Sequence, residues 1–364
     1  MKKYLVGIFI LANSWLFAQT APKYSNEFLA IGVGARAAGM GNAQAAICND
    51  VTAAYWNPAG LLSIKDTFEV ALMHSQYFGG IANYDYAALA IKLDTANHLA
   101  FSLIRFGVDN IPDTRLLIGN DGSINYDNVS SFSEASYAGL ISYARKTNFW
   151  GGVRLGANVK IIYRSAGVFA KAWGFGLDVG LQKEFGKWTL GVMAKDISST
   201  FNYWNFNTDA LQDVYAATGN QLIKNSVEVS LPRVAVDVAR SFAVKNVAIW
   251  ATAGLDITTD GKRNTLLKSP ILSADLHAGV EVAYQQKFFV RGGIGNFQKL
   301  QDFNGQAYTG FQPNFGVGFV FKNFTIDYAL ANLSQSVDAV SLLSHIFSVK
   351  MRFNAIKLPK NAIK

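Results

Sequence analysis

Three groups in this 364-residue chain could in principle do acid–base chemistry together: Asp275, His277 and Glu281 are separated by even numbers of residues, so in a strand all three point to one side. They lack a nucleophile, because no serine sits nearby in a Gly-x-Ser-x-Gly elbow, and the trio reads better as part of a polar network. His74, His98, His277 and His345 are far apart and show no metal-ligand spacing such as His-x-x-x-His. No metal, cofactor or enzymatic activity is therefore expected. The single cysteine, Cys48, has no internal partner and reads as a small buried hydrophobe.

The trio belongs to a larger set. Arg154, Lys160, Arg291, Lys350 and Arg352 fall on the more polar face of their segments, and so do Asp178, Asp237, Asp275, Glu281 and Asp327. Five charges of each sign cancel. Such a balance inside a barrel of medium width is better explained by ion pairs tying the wall to its contents than by an open conduit. Gly152, Gly156, Gly174, Gly176, Gly180, Gly254, Gly279, Gly293, Gly316 and Gly318 share that face, and glycine within a strand marks the close approach of other backbone.

What must position these residues is a run of fourteen alternating segments, 68–77, 85–93, 98–107, 136–145, 150–163, 173–184, 188–195, 233–241, 247–256, 273–283, 288–295, 312–321, 324–330 and 346–353. The period of two is cleanest where Val153, Leu155, Ala157, Val159 and Ile161 oppose Gly152, Arg154, Gly156, Asn158 and Lys160. The connections alternate as well. Those at 94–97, 146–149, 185–187, 242–246, 284–287 and 322–323 are tight, whereas 108–135, 196–232, 257–272, 296–311 and 331–345 are long and 78–84 and 164–172 modest. An even strand count with one short-turn end and one long-loop end describes a transmembrane β-barrel, whose tight turns would face the periplasm. Phe149, Trp150, Phe185, Trp188, Phe242, Phe288, Phe289, Phe321 and Phe324 crowd the tight end, as a membrane–water interface favours.

The first residues carry Lys2 and Lys3, an apolar stretch and Ala18 before Gln19, which reads as a signal peptide over 1–18. Its removal lowers the formal net charge from +8 to +6. The remaining Lys and Arg are scattered singly, so nucleic acid is not an expected partner. No apolar run reaches the roughly 18 residues of a spanning helix. The chain thus divides into the signal peptide, an N-terminal segment over 19–67, a barrel over 68–353 and a tail over 354–364.

Within the N-terminal segment, 26–62 is rich in Gly and Ala and nearly free of charge, and Asn57 can cap a short helix that begins at Pro58. Arg36, Ala37, Gly39, Met40 and Gly41, followed by Trp56, Asn57, Pro58 and Ala59, resemble the N-terminal signature of the PorV/PorQ family, itself similar to the FadL long-chain fatty-acid transporters. The resemblance implies an all-β, 14-stranded antiparallel barrel integral to the bacterial outer membrane, with a small Gly/Ala-rich hatch and both termini periplasmic. Arg36, Gly39, Met40, Gly41, Asp50, Trp56, Asn57 and Pro58 are the hatch residues it points to, with pairing of Arg36 and Asp50 left open. Its branches imply different functions. PorV-like members work in type IX secretion, binding cargo proteins with C-terminal sorting domains or other secretion-system subunits. FadL-like members pass hydrophobic molecules through the barrel wall.

The long connection at 196–232 carries Phe201, Tyr203, Trp204, Phe206 and Tyr215 among polar residues. Such aromatics either pack on each other as a lid or dock a partner. The reading adopted is a PorV-type, non-enzymatic outer-membrane barrel that binds secreted cargo or translocon partners through these loops. The alternative is a FadL-like transporter for long-chain fatty acids or other hydrophobic molecules.

Overall fold

Alternation of apolar with small or polar residues gives each segment one face for lipid and one for the lumen, and strands follow. The computed structural model describes residues 25–119, 121–219, 221–301, 305–332 and 343–354. The expected signal peptide, nearly all of the tail and most of the last long connection lie outside these. The strands are β1 (Phe68–Tyr77), β2 (Ala82–Lys92), β3 (Asn97–Asp113), β4 (Ser130–Lys146), β5 (Arg154–Ala166), β6 (Ala170–Phe185), β7 (Trp188–Lys195), β8 (Thr200–Phe206), β9 (Asn225–Ser230), β10 (Arg233–Val244), β11 (Val247–Thr258), β12 (Leu267–Lys268), β13 (Ser273–Tyr284), β14 (Phe288–Gln301), β15 (Ala307–Phe321), β16 (Phe324–Asn332) and β17 (Leu343–Phe353). β1 pairs antiparallel with both β2 and β17, which closes the sheet on itself. Without β8, β9 and the two-residue β12, the ring holds fourteen strands, one for each expected segment.

The outward face is apolar. Leu72, Phe175 and Phe315 are 58%, 61% and 64% exposed, and such side chains repeat around the wall, a surface that only lipid satisfies. Two aromatic rows bound it. At the tight-turn end Phe149, Trp150, Phe185, Trp188, Phe242, Phe288, Phe321 and Phe324 are exposed, whereas Phe289 is half-buried with the Arg291 guanidinium 5.2 Å from its ring. At the other end Tyr137, Tyr163, Trp173 and Tyr203 follow one another in register across β4, β5, β6 and β8. Trp173 and Phe185 of β6 lie about 40 Å apart along the strand at ~3.3 Å per residue. A tilt of ~40° turns that into about 30 Å, the thickness of a bilayer core.

Several bounds differ from those expected. β5 begins at Arg154 instead of residue 150, because Trp150, Gly151 and Gly152 take left-handed backbone (φ 46°, 67° and 93°) and form a turn. Val153 consequently lies buried instead of outward. β3, β4, β14 and β15 run beyond the expected segments, where the strands rise past the membrane and the apolar alternation that marks them fades.

The largest difference is the long connection after β7. The chain bends at Asp196–Ser199, where Asp196 and Ser199 have φ of 56° and 54°, and then resumes pairing with the far end of β6 as β8. An 11-residue helix (Thr208–Thr218), capped by Asn207, precedes β9, and Leu231-Pro232 bends the return into β10. The connection is therefore an extension of the wall, kinked in both of its strands. β9 has no strand on its outer edge among the described residues.

Residues 25–67 run inside the ring. They form short turns (Glu27–Ala30, Pro58–Ser63) and single-turn helices (Ala35–Gly39, Ala53–Trp56), and Asn57 Oδ1 accepts from the Ala59 amide at 3.2 Å as the expected cap. Ser25 and Asn26 meet Glu228, Asn202 and Ser230 of the β8–β9 hairpin, whereas Phe353 ends at the tight turns. The two ends of the described chain thus stand at opposite ends of the barrel. The N- and C-termini expected on the periplasmic side lie outside the described residues.

Candidate functional site

An irregular segment inside a barrel leaves its backbone N–H and C=O groups without a ladder, and each must find a partner. The wall supplies them from its inward polar side chains. Asp237 Oδ2 accepts from the Ala45 amide at 2.7 Å, Glu69 Oε1 from Val51 at 2.8 Å and Ser348 Oγ from Ala35 at 2.8 Å. Asn158 donates to the Ala54 carbonyl at 2.9 Å and Gln182 to that of Ala45 at 2.9 Å. The inner segment reciprocates through Asn57, fully buried, whose Nδ2 donates to Ala45 (2.9 Å), to Leu181 on β6 (3.0 Å) and to Val192 on β7 (3.4 Å).

The ten charges expected on the inner face do lie there, and four of them join Arg36 and Asp50 of the segment in one ion network. Arg36 donates to Glu281 (2.8 and 2.9 Å) and Arg291 to Glu281 (2.7 Å) and Asp327 (2.7 Å); Lys350 reaches Asp327 (3.6 Å) and Asp50 (2.5 Å). Arg36 and Asp50 therefore do not pair with each other but through four wall residues. Burial pushes the Asp50 carboxyl up, yet the Lys350 ammonium and the Arg36 guanidinium outweigh it and hold the group below the ordinary carboxylate range. Asp275, His277 and Glu281 are not a catalytic trio. His277 Nε2 bonds Asp237 at 2.7 Å, Asp275 accepts from the Phe297 amide at 3.2 Å, and Glu281 belongs to the ion network.

Backbone packs on backbone toward the tight-turn end. A Cβ on Gly293 would stand on Met40 and Gly41, and one on Gly191 on the Ala45 carbonyl. Gly39 abuts Gly316, and Gly41, at φ 63°, lies against the Ile294 backbone. Gly174, Gly176 and Gly254 face wall side chains instead, and Gly152 sits in its turn. Met40 is fully buried, and Trp56 Nε1 donates to Val33 at 2.8 Å. Pro58 packs against Gly156 and Gly180.

Toward the other end the filling stops and leaves a cavity of about 360 Å³, within the range of small-molecule sites. Tyr55 and Trp56 form part of its floor, the ends of β7, β10, β11 and β13 its wall, and Arg263 and Asn264 from the next connection its cover. Charge dominates the lining. Lys160 pairs with Asp178 at 2.7 Å and with Asp196 at the kink, and Arg233 and Arg263 reach Glu27 at 2.5 and 3.2 Å. Lys195 Nζ lies 4.2 Å from the Tyr55 ring centre and 5.4 Å from that of Trp56.

The five hairpin aromatics are not one surface. Phe201 and Tyr203 point outward, each 53% exposed, and extend the aromatic row of the wall. Trp204 is buried, with the Arg164 guanidinium 4.9 Å from its ring and Phe206 stacked beside it at 6.3 Å. Tyr215 is half-buried on the helix. Period two in β8 splits what a reading as a loop had grouped. Sequence reasoning also missed Lys195, Arg233, Asp256 and Glu27, which line the cavity. The first three sit at strand ends where the apolar alternation weakens.

Comparison with known proteins adds the fold. The structure is similar to the CymD monoaromatic hydrocarbon channel (TM-score 0.53, 12% identity, covering 89% of this chain and 98% of that one). It is also similar to the P. putida toluene transporter TodX (0.52, 13%, 89% and 99%) and the Ralstonia pickettii toluene transporter TbuX (0.51, 12%, 89% and 99%). The chain shares their fold. At such identities nothing finer follows. No family model matches the chain, and no curated protein does, so the PorV/PorQ resemblance rests on its quoted motif alone.

Proposed function

We propose that this chain is a FadL-like outer-membrane transport barrel, not an enzyme. A small molecule enters the cavity at the long-connection end and leaves toward the periplasm when the inner segment rearranges. The observation that carries this reading is the division of the lumen. Backbone-on-backbone packing shuts the tight-turn half, while a cavity of about 360 Å³ stays open beneath the kinked hairpin. The fold shared with hydrocarbon and toluene channels favours passage of small molecules over cargo binding. Phe201 and Tyr203, the outward aromatics of the type IX secretion reading, are accounted for by the membrane-interface row.

Uptake by liposomes holding the purified barrel tests the proposal, with toluene and a set of small polar solutes, beside conductance in planar bilayers. Solute uptake above that of empty liposomes, without steady ion conductance, is the expected result. Asn57→Ala, which releases the segment from β6 and β7, should add open-channel conductance. A wild-type barrel that conducts ions freely, or admits no solute, would contradict it.

A further inference from the structure

The charges facing the cavity do not all find partners among themselves. Lys160 is matched by Asp178 and Asp196, Arg233 and Arg263 by Glu27, and His277 by Asp237. What remains is one ammonium on one side and two carboxylates on the other. Lys195 rests on the Tyr55 and Trp56 rings and has no carboxylate within ion-pair distance among the described residues. Asp256 and Asp275 stand directly opposite each other in the β11–β13 register, where like charges repel. The Asp256 side chain is 53% exposed into the cavity, and the nearest cationic group is His277 Nδ1 at 3.9 Å, on a ring already committed to Asp237.

The two poles are spaced for a ligand. Lys195 pairs with Arg233 across β7–β10, and Asp256 with Ala235 across β10–β11, so they are two strands and two residues apart. Strand spacings of ~4.8 Å and rises of ~3.3 Å put their Cα positions about 12 Å apart. A tripeptide spans up to about 10 Å between its termini, and the inward side chains close the difference. An apolar guest would fare badly here. It would strip water from charged groups and return no hydrogen bonds.

We propose that the cavity binds a small zwitterion, an amino acid or short peptide, with its carboxylate on Lys195 and its ammonium between Asp256 and Asp275. As a statement about what the barrel carries, this rests on the transport reading above; as a binding site it stands without it. Calorimetric titration of the detergent-solubilised protein with trialanine, N-acetyl-trialanine, trialanine amide and toluene tests it. Trialanine should bind, and blocking either terminus should weaken it by about tenfold or more, the worth of one charge-assisted contact. Lys195→Gln should erase the penalty for amidation but not for acetylation, and Asp256→Asn the reverse. No binding of trialanine, or equal binding of the blocked peptides to the wild-type protein, would overturn the inference. Toluene flux without trialanine binding would overturn it and leave the transport reading intact. Trialanine binding without any flux would do the opposite.

Discussion

The two halves of the lumen are built from the same wall but filled by opposite means. Toward the tight turns, glycines on β7, β14 and β15 let the inner segment lie backbone against backbone, and wall side chains bond stranded N–H and C=O groups such as those of Ala45. Toward the long connections the inward positions carry Lys195, Arg233, Asp256 and Asp275, and space remains between them. The difference teaches that wall glycines, and not an absence of charge, let the segment fill one half, since Arg291, Glu281, Asp327 and Lys350 lie there too. The wall's polar residues serve structure in one half and face a cavity in the other.

The sharpest way to break this contrast is to give the closed half a side chain it cannot hold. Gly293→Val would drive two methyl groups into Met40 and Gly41, and Gly41→Val would add backbone strain at φ 63°. Both should lower the yield of folded barrel by heat-modifiability on gels and cost about 3 kcal/mol or more; normal folding of both would refute the packing. Arg291→Met should follow closely. It takes one of two guanidinium partners from the buried Glu281, which keeps Arg36, and leaves Asp327 with Lys350 at 3.6 Å, a change of roughly 3 kcal/mol in denaturant unfolding, larger than any single substitution in the cavity.

Asn57→Ala comes next, at about 2 kcal/mol, because it removes several hydrogen bonds between the buried segment and the wall at once. Urea unfolding of the variant measures it. The smallest effect comes from acid. Asp50 titrates below its ordinary value of 3.8 in the folded protein. The stability it contributes is therefore complete above that value and lost as pH falls beneath it. Hydrogen-exchange protection of residues 35–56, taken relative to the intrinsic rate at each pH, should fall below about pH 4, and Asp50→Asn should abolish that component.

How much of this the sequence disclosed follows from where its signals are strong. The fourteen strands were legible because lipid on one side and a packed lumen on the other enforce period two, as Leu155, Val159 and Ile161 against Asn158 and Lys160 show. The Asn57 cap was legible because Pro58 follows it. The ion network was legible in its members but not its connections. That Arg36 meets Glu281 depends on how a non-repetitive segment threads the ring, and nothing local encodes that path. The hairpin of β8 and β9 resembles a loop in the sequence because Asp196, Ser199 and Pro232 interrupt the pattern at the kink. The cavity is not legible for the same reason, since its lining comes from the inner segment, from eight strands and from the connections between them.

The contrast between the halves can be read directly with thiols, because the chain has a single cysteine and it lies in the closed half. Cys48 is buried, and burial, with the nearby Asp50 carboxylate adding to it, pushes its thiol well above the ordinary range. We would add a membrane-impermeant maleimide to intact cells producing either the wild-type protein or Asp256→Cys. The account predicts labelling of Asp256→Cys from outside and none of the wild-type protein. A labelled Cys48, or an unreactive thiol at position 256 in a folded barrel, would contradict it.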